Sequence, residues 1–349
     1  MHPHAKKEFT AFAAIAFGLL FMLLLQLSGR IFAHEGLITL WIRASLGPVT
    51  LPSPPPPEPE RILDTTRPVA IMVDNHPNAR PQSGVSKADV VWEAPVEGSL
   101  TRNMLIFRSA STTEIGPVRS ARPYFLKWAR EFDAVYTHVG GSTDALQQLA
   151  SGTTGLDDAN EFSNGAAFWR DSRRNAPHNT YTSSARLWEL IRKKEWSTTT
   201  AAVDATARSR EVATGTAATR LQIVPVQGAE TIEFRFDEEE NGYILWRRNR
   251  QIRDRDGSVI APQTVVALEM DVLSVPDPQN LGLIGLETIG AGAATVFRDG
   301  LMLSGAWKKT SAADPTTVTD AQGQKIPFAE GQVWYVIVGA NRGGSVAFE

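Results

Sequence analysis

Hydrophobic and polar positions follow three different rhythms along this chain. From Phe9 to Leu27 the run FTAFAAIAFGLLFMLLLQL carries no charge. It matches the roughly 20 residues that cross a bilayer as a helix, which predicts a membrane span over residues 9–27. Between residues 61 and 200, short apolar or alternating runs of strand length alternate with segments whose apolar residues recur three or four apart. VAIMVD (Val69 to Asp74), DVVWEA (Asp89 to Ala94), NMLIF (Asn103 to Phe107) and AVYTHV (Ala134 to Val139) are of the first kind, and PYFLKWAREF, TDALQQLA and SSARLWELIRKK of the second. This is the pattern of a mixed α/β domain. From residue 219 to 349 the runs TIEFRF, YILWRR, TVVALEM, ATVFRD, LMLSGAW and VWYVIVG are separated by turn signals at Asn241-Gly242, Asp256-Gly257, Asp299-Gly300 and Gly323, which predicts a smaller β-rich domain. In ATVFRDGLMLSGAW the Asp-Gly pair predicts a two-residue hairpin, because both positions need φ > 0 and these residues tolerate it.

The remaining segments are connectors. Residues 1–8, with Lys6 and Lys7, form a short cationic tail that favours a cytoplasmic N-terminus, although Arg30 and Arg43 on the far side weaken the asymmetry. A cleaved signal peptide is the rival reading. The apolar run exceeds the usual h-region, and the small-residue site ending at Ala33 has Ile31 where a small residue belongs, so a retained signal anchor is preferred. Residues 28–60 are a juxtamembrane segment followed by LPSPPPPEPE, whose prolines favour an extended, semi-rigid spacer. Residues 201–218, rich in Ala, Thr and Ser without bulky apolar side chains, read as a linker between the two folded domains.

Composition narrows the function. The 349 residues carry a formal net charge of -3, so no bulk positive field exists to hold nucleic acid. Cysteine is absent, which removes disulfides, thiolate nucleophiles, Cys-ligated metal sites and a lipidated cysteine anchor.

Two blocks, RPVAIMVDNHPNARPQSGVSKADVVWEAPVEGSLTRNMLIFRS and EIGPVRSARPYFLKWAREFDAVYTHVGGS, together with FWRDSRRNAPHNTYTS, resemble the N-terminal domain of the YerB-like family. The stretch ATVFRDGLMLSGAWKKT through DAQGQKIPFAEGQVWYVIV is similar to the family's C-terminal domain. The resemblance spans nearly everything from Arg67 onward. It implies a bacterial envelope protein with an α/β layered sandwich as its first domain, and it implies no activity. Many relatives resemble lipoproteins, whereas this chain offers a hydrophobic span in place of an acylated cysteine.

Four constellations carry candidate chemistry. In GPVRSARPYF, Ser120 is a candidate cap for a helix with Pro123 in its first turn, so Arg119 and Arg122 flank a positive helix end. Two guanidinium groups there call for an anion. That anion is either a carboxylate of the protein itself, from Asp74, Asp89, Glu93 or Glu97, or a phosphate- or carboxylate-bearing ligand. In HVGGSTDALQQL the Gly140-Gly141-Ser142 turn opens a second helix. It suits an anion as well, or is simply a tight turn with Ser142 as N-cap; no G-x-S-x-G elbow supports Ser142 as a nucleophile for His138. In APHNTYTS, His178 and Asn179 sit in a loop after the basic WRDSRRN, either as ligand groups or as partners for buried backbone. Asp74 ends a strand, where α/β domains place ligands. No compact spacing gathers Asp74, His76, His138 and His178 into a metal site, and no motif calls for a cofactor. Trp92, Trp128, Trp169 and Trp188 fall within strand and helix patterns and are expected in the core.

The leading reading is an extracytoplasmic, membrane-anchored binding protein that recognises an anionic group on a wall polymer or envelope protein. Its binding residues would be Arg119, Ser120, Arg122, Gly140, Gly141, Ser142, His178 and Asn179. The alternative is an envelope hydrolase or transferase with His138 or His178 as base and Asp74 or Glu93 as acid or orienter. A third is a docking role for the β-rich domain.

Overall fold

The computed structural model describes residues 66–108, 111–200, 208–277 and 280–349. The predicted tail, membrane span and spacer (1–60) and the first part of the 201–218 linker lie outside the described residues. Among those described, no helix is long and apolar enough to cross a membrane.

The first half supplies strands β1 (Val69–Asp74), β2 (Val90–Pro95), β3 (Thr101–Phe107), β4 (Val135–His138) and β5 (Asp157–Asn160). Its helices are α1 (Pro123–Glu131), α2 (Thr143–Ala150) and α3 (Ser184–Lys193). The second half adds β6 (Arg220–Val224), β7 (Ile232–Asp237), β8 (Gly242–Arg247), β9 (Arg250–Gln251) and β10 (Thr264–Glu269). These are followed by β11 (Gly290–Arg298), β12 (Leu301–Lys309), β13 (Thr317–Thr319), β14 (Val333–Val338) and β15 (Ser345–Phe348).

The two halves meet in one sheet. Its strands run β13-β12-β11-β10-β14-β2-β3-β1-β4-β5, with Thr216–Ala217 pairing on β12. The junction is the parallel pair β2–β14, in which Val90 stands opposite Val333 and Glu93 opposite Val336. A second sheet, β9-β8-β7-β6-β15, is built wholly from the second half.

Side chains of the large sheet alternate between two cores, as the two-residue period of a strand requires. Ala70 and Met72 of β1 join Trp92, Phe125, Trp128, Tyr335 and Ile337 on one face. Val69, Ile71 and Val73 join α3 (Leu187, Ile191) and the second sheet (Leu221, Ile223, Phe234, Leu245) on the other. Because both faces are covered, β1 and β14 read as continuous apolar runs instead of alternating ones. Trp92 stacks between Trp128, at 4.7 Å, and Tyr335, at 4.1 Å, so one aromatic column joins the halves. Trp169 and Trp188, expected in the core, are only partly buried. The Asp299-Gly300 hairpin forms between β11 and β12, with φ of 56° and 72° at its two central residues.

Helix α1 begins with Pro123 at its first position, as its missing N–H allows, but its N-cap is Arg122 and no side chain caps it. Ser120 is not the cap. The chain is held extended by Arg119 N–H donating to Met72 and Ala121 N–H donating to Gly140, and this delays the helix by two residues. Ser142 does cap α2, accepting from Ala145 N–H, and Ser183 caps α3.

Candidate functional site

The polar groups singled out in the sequence separate into four places. At the C-terminal end of β1, the Asp74 carboxylate is the centre of one cluster. One oxygen accepts the His76 backbone N–H at 3.0 Å. The other lies 3.0 Å from Arg119 Nε and 2.6 Å from His178 Nδ1. His76 stacks on His178 with ring centroids 4.9 Å apart. Sheet topology makes this convergence: β1 carries Asp74, the segment bridged to Val73 through Val118 carries Arg119, and the loop before Thr180–Tyr181 delivers His178. Asp74 is buried, whereas Arg119 and His178 reach the surface in part. Among the described residues the second nitrogen of His178, Nε2, has no partner.

Arg122 goes elsewhere. Its Nε lies 3.0 Å from Glu97 Oε2 and its Nη2 reaches the other carboxylate oxygen, a two-point ion pair that leaves Arg122 nearly buried. Arg102 approaches the same carboxylate at 3.7 Å and donates to Ser120 O. Burial pushes Glu97 up, but the hydrogen bond and charge of Arg122, with Arg102 behind, outweigh it and hold the carboxyl below its ordinary range. Burial first, and then Arg122 beside it, lower the Arg102 guanidinium to about 10.

The third place is the β4–α2 turn, where three polar groups have internal partners. Gly140 N–H donates to Asn160 Oδ1, Ser142 N–H to Ala121 O, and Ser142 Oγ serves as the cap. His138 is fully buried, with Nδ1 2.6 Å from Gly140 O and Nε2 2.7 Å from Asp158. It clamps β4 to β5 and shares no contact with Asp74 or His178. Asn179 accepts from Arg170 through its side chain and from Asp171 N–H through its carbonyl. Of the candidates named from sequence, the structure therefore brings together Asp74, His76, Arg119 and His178.

Glu93 marks the fourth place. It is wholly buried and accepts from Asn75 Nδ2 at 2.9 Å, Thr101 Oγ1 at 2.6 Å, Arg247 Nη2 at 2.6 Å and Trp334 Nε1 at 3.2 Å. Oε1 takes three of these hydrogen bonds and Oε2 the one from Trp334, so Glu93 is the centre of a buried polar network between the halves. Among the described residues no group of three or more His, Asp or Glu side chains is placed to hold a metal ion.

Residues 56–197 match the N-terminal domain, and residues 222–335 the C-terminal domain, of the protein of unknown function DUF3048. A Bacillus subtilis (strain 168) protein named "Putative lipoprotein YerB" is 32% identical over 283 residues, 80% of this chain and 83% of its own length. The chain belongs to the YerB-like family. The crystal structure of YerB protein from Bacillus subtilis superposes with a TM-score of 0.73 at 29% identity, covering 83% of this chain and 97% of that one. The YerB-like fold of two sequence domains, mixed α/β around a large sheet, is thus shared.

Sequence reading missed one feature of this YerB-like chain. Arg247, Arg248, Arg250, Arg253 and Arg255, from the β8–β9 hairpin and the loop after it, line a cleft of about 550 Å³ together with Pro77, Arg80 and Pro81. The run RRNRQIRDR was the available signal. It hid among turn residues, and Arg80, which completes it, lies far away in the sequence.

Proposed function

We propose that this chain is an extracytoplasmic envelope protein, anchored by the apolar run 9–27, that binds an anionic group of a wall polymer or envelope protein at the Asp74–Arg119–His178 cluster. The observation that carries the reading is the sharing of Asp74. One buried carboxylate faces both a guanidinium and an imidazole that are partly exposed, and among the described residues His178 Nε2 has no partner, so Arg119 and His178 are the groups that would meet a ligand oxygen. Arg122 drops out because Glu97 neutralises it. The envelope location draws on the relative named as a lipoprotein. The tether draws on this sequence, which has no cysteine to acylate and a span of bilayer length in its place.

The test is titration of the full-length protein in detergent with soluble peptidoglycan fragments and with phosphate-bearing wall-polymer fragments. Arg119→Ala and His178→Gln should each weaken binding about tenfold, the size of one charge-assisted hydrogen bond. If the wild type binds neither probe, or both variants match it, the reading fails. The contact of Asp74 with His178 Nδ1 favours a second reading, an acid–base pair in a hydrolase or transferase, because a carboxylate that orients an imidazole is the usual support for a general base. Release of product from the same probes, abolished by His178→Gln with binding retained, would select it.

A further inference from the structure

We propose that the arginine-lined cleft between the Pro77–Pro81 loop and the β8–β9 hairpin is a second binding site, for a ligand bearing two or more phosphate groups. Six guanidinium groups line it, from Arg80, Arg247, Arg248, Arg250, Arg253 and Arg255, against two carboxylates, Glu230 and Asp254. The carboxylates do not balance them. Asp254 accepts from Val85 N–H, Ser86 N–H and Ser86 Oγ, which occupies both of its oxygens outside the arginine cluster. Glu230 alone is shared by Arg80 at 2.6 Å, Arg248 at 2.7 Å and Arg247 at 3.9 Å. Arg247 has Glu93 behind it, and Arg255 is matched by Glu114 and Asp171.

That leaves Arg250 and Arg253. Arg250 is exposed and has no ion-pair or side-chain hydrogen-bond partner among the described residues. Arg253, also exposed, bonds among the described residues only to neutral acceptors, Gly257 O and Gln251 Oε1. The cationic crowding is felt inside the protein: burial first, then the neighbouring Arg247 charge, lower the Arg80 guanidinium despite its bridge to Glu230. Gathering unbalanced guanidinium groups around a concavity is unfavourable unless an anion enters it.

The geometry favours phosphate over carboxylate. A carboxylate offers its two oxygens in a single plane, whereas a tetrahedral phosphate presents oxygens in several directions and accepts forks from both walls of a cleft. A volume of about 550 Å³ falls in the range of small-molecule sites and exceeds one inorganic ion, hence a ligand with linked phosphates. Pro77, Pro81 and Ile252 give apolar walls for whatever joins them.

This site does not rest on the Asp74 cluster, and the experiment separates the two. Calorimetric titration of the full-length protein in detergent at low salt would use inorganic tripolyphosphate, with citrate as a carboxylate of comparable charge. Tripolyphosphate should bind, and Arg250→Ala/Arg253→Ala should weaken it about tenfold or more, since neither side chain has a carboxylate partner whose loss would disturb the fold. Added salt should weaken it too, citrate should bind less tightly, and His178→Gln should leave it unchanged. No binding by the wild type, an unaffected double variant, or citrate binding equally tightly would each overturn the assignment. Loss of tripolyphosphate binding in His178→Gln would overturn the separateness of the two sites.

Discussion

Glu93 and Arg247 form a buried pair, 0% and 2% exposed in their side chains, in which the carboxylate also takes hydrogen bonds from Asn75, Thr101 and Trp334. Such a pair contributes little net stability compared with two apolar residues, but removing one member strands the other charge out of water. Glu93→Ala should therefore lower the unfolding free energy by about 3–5 kcal/mol. Glu93→Gln, which keeps an acceptor oxygen, should cost less. Urea denaturation monitored by tryptophan fluorescence would show the ranking, and equal effects would mean that the charge is unimportant there. Sequence could nominate Glu93 but not its role, because Arg247 lies 154 positions away. Crowding of Arg119 and Arg122 near a helix start required an anion, and the structure supplies Asp74 and Glu97 from the short roster of carboxylates that sequence could name. Which of the two arginines would stay near the surface depended on side-chain burial, which has no local signal.

Elements were more legible than sites, for a physical reason: periodicity is written locally, in consecutive residues. VAIMVD forms β1 over the residues its apolar run delimits, and α1 to α3 occupy the segments with three- and four-residue spacing. Where a local rule failed, a long-range hydrogen bond had overridden it, as when the Arg119 and Ala121 N–H groups hold Ser120 extended instead of capping. The β8–β9 hairpin shows the same dependence. Its following loop is docked through Asp254, whose carboxylate takes three hydrogen bonds from Val85 and Ser86 in the short 3₁₀ turn Val85–Lys87. Burial, the largest influence, pushes the Asp254 carboxyl above its ordinary range even though those bonds pull it down, so the anchor is held by donors in place of a counter-charge. Asp254→Ala should leave two backbone N–H groups unsatisfied and cost about 1–3 kcal/mol. Hydrogen exchange should quicken selectively over residues 247–257 while β1 to β4 keep their protection. Uniform loss of protection would show that the loop is not an independently opening element.

At the scale of the molecule, the Ala- and Thr-rich stretch 201–218 and the change from mixed to β-rich patterning suggest two bodies, and the two matched family domains follow the same division. The chain nonetheless closes one sheet across that division. β14, all six of whose residues are buried, lies between β10 of its own half and β2 of the other. VWYVIV announces a strand buried on both faces, yet nothing in it says which strand flanks it, since pairing partners are chosen by the fold and not by neighbours in sequence. A fragment of residues 208–349 produced alone would expose the β14 edge that β2 covers, together with Tyr335, which has lost Trp92 as its stacking partner. An uncovered apolar edge strand is a template for association. The fragment should therefore elute as aggregates on size-exclusion chromatography and lack the near-ultraviolet circular dichroism of packed tryptophans. Co-expression with residues 61–200 should restore both properties by supplying β2 and Trp92. A monomeric fragment that unfolds cooperatively by itself would show instead that the second half is complete without β2, and that the shared sheet docks two finished domains.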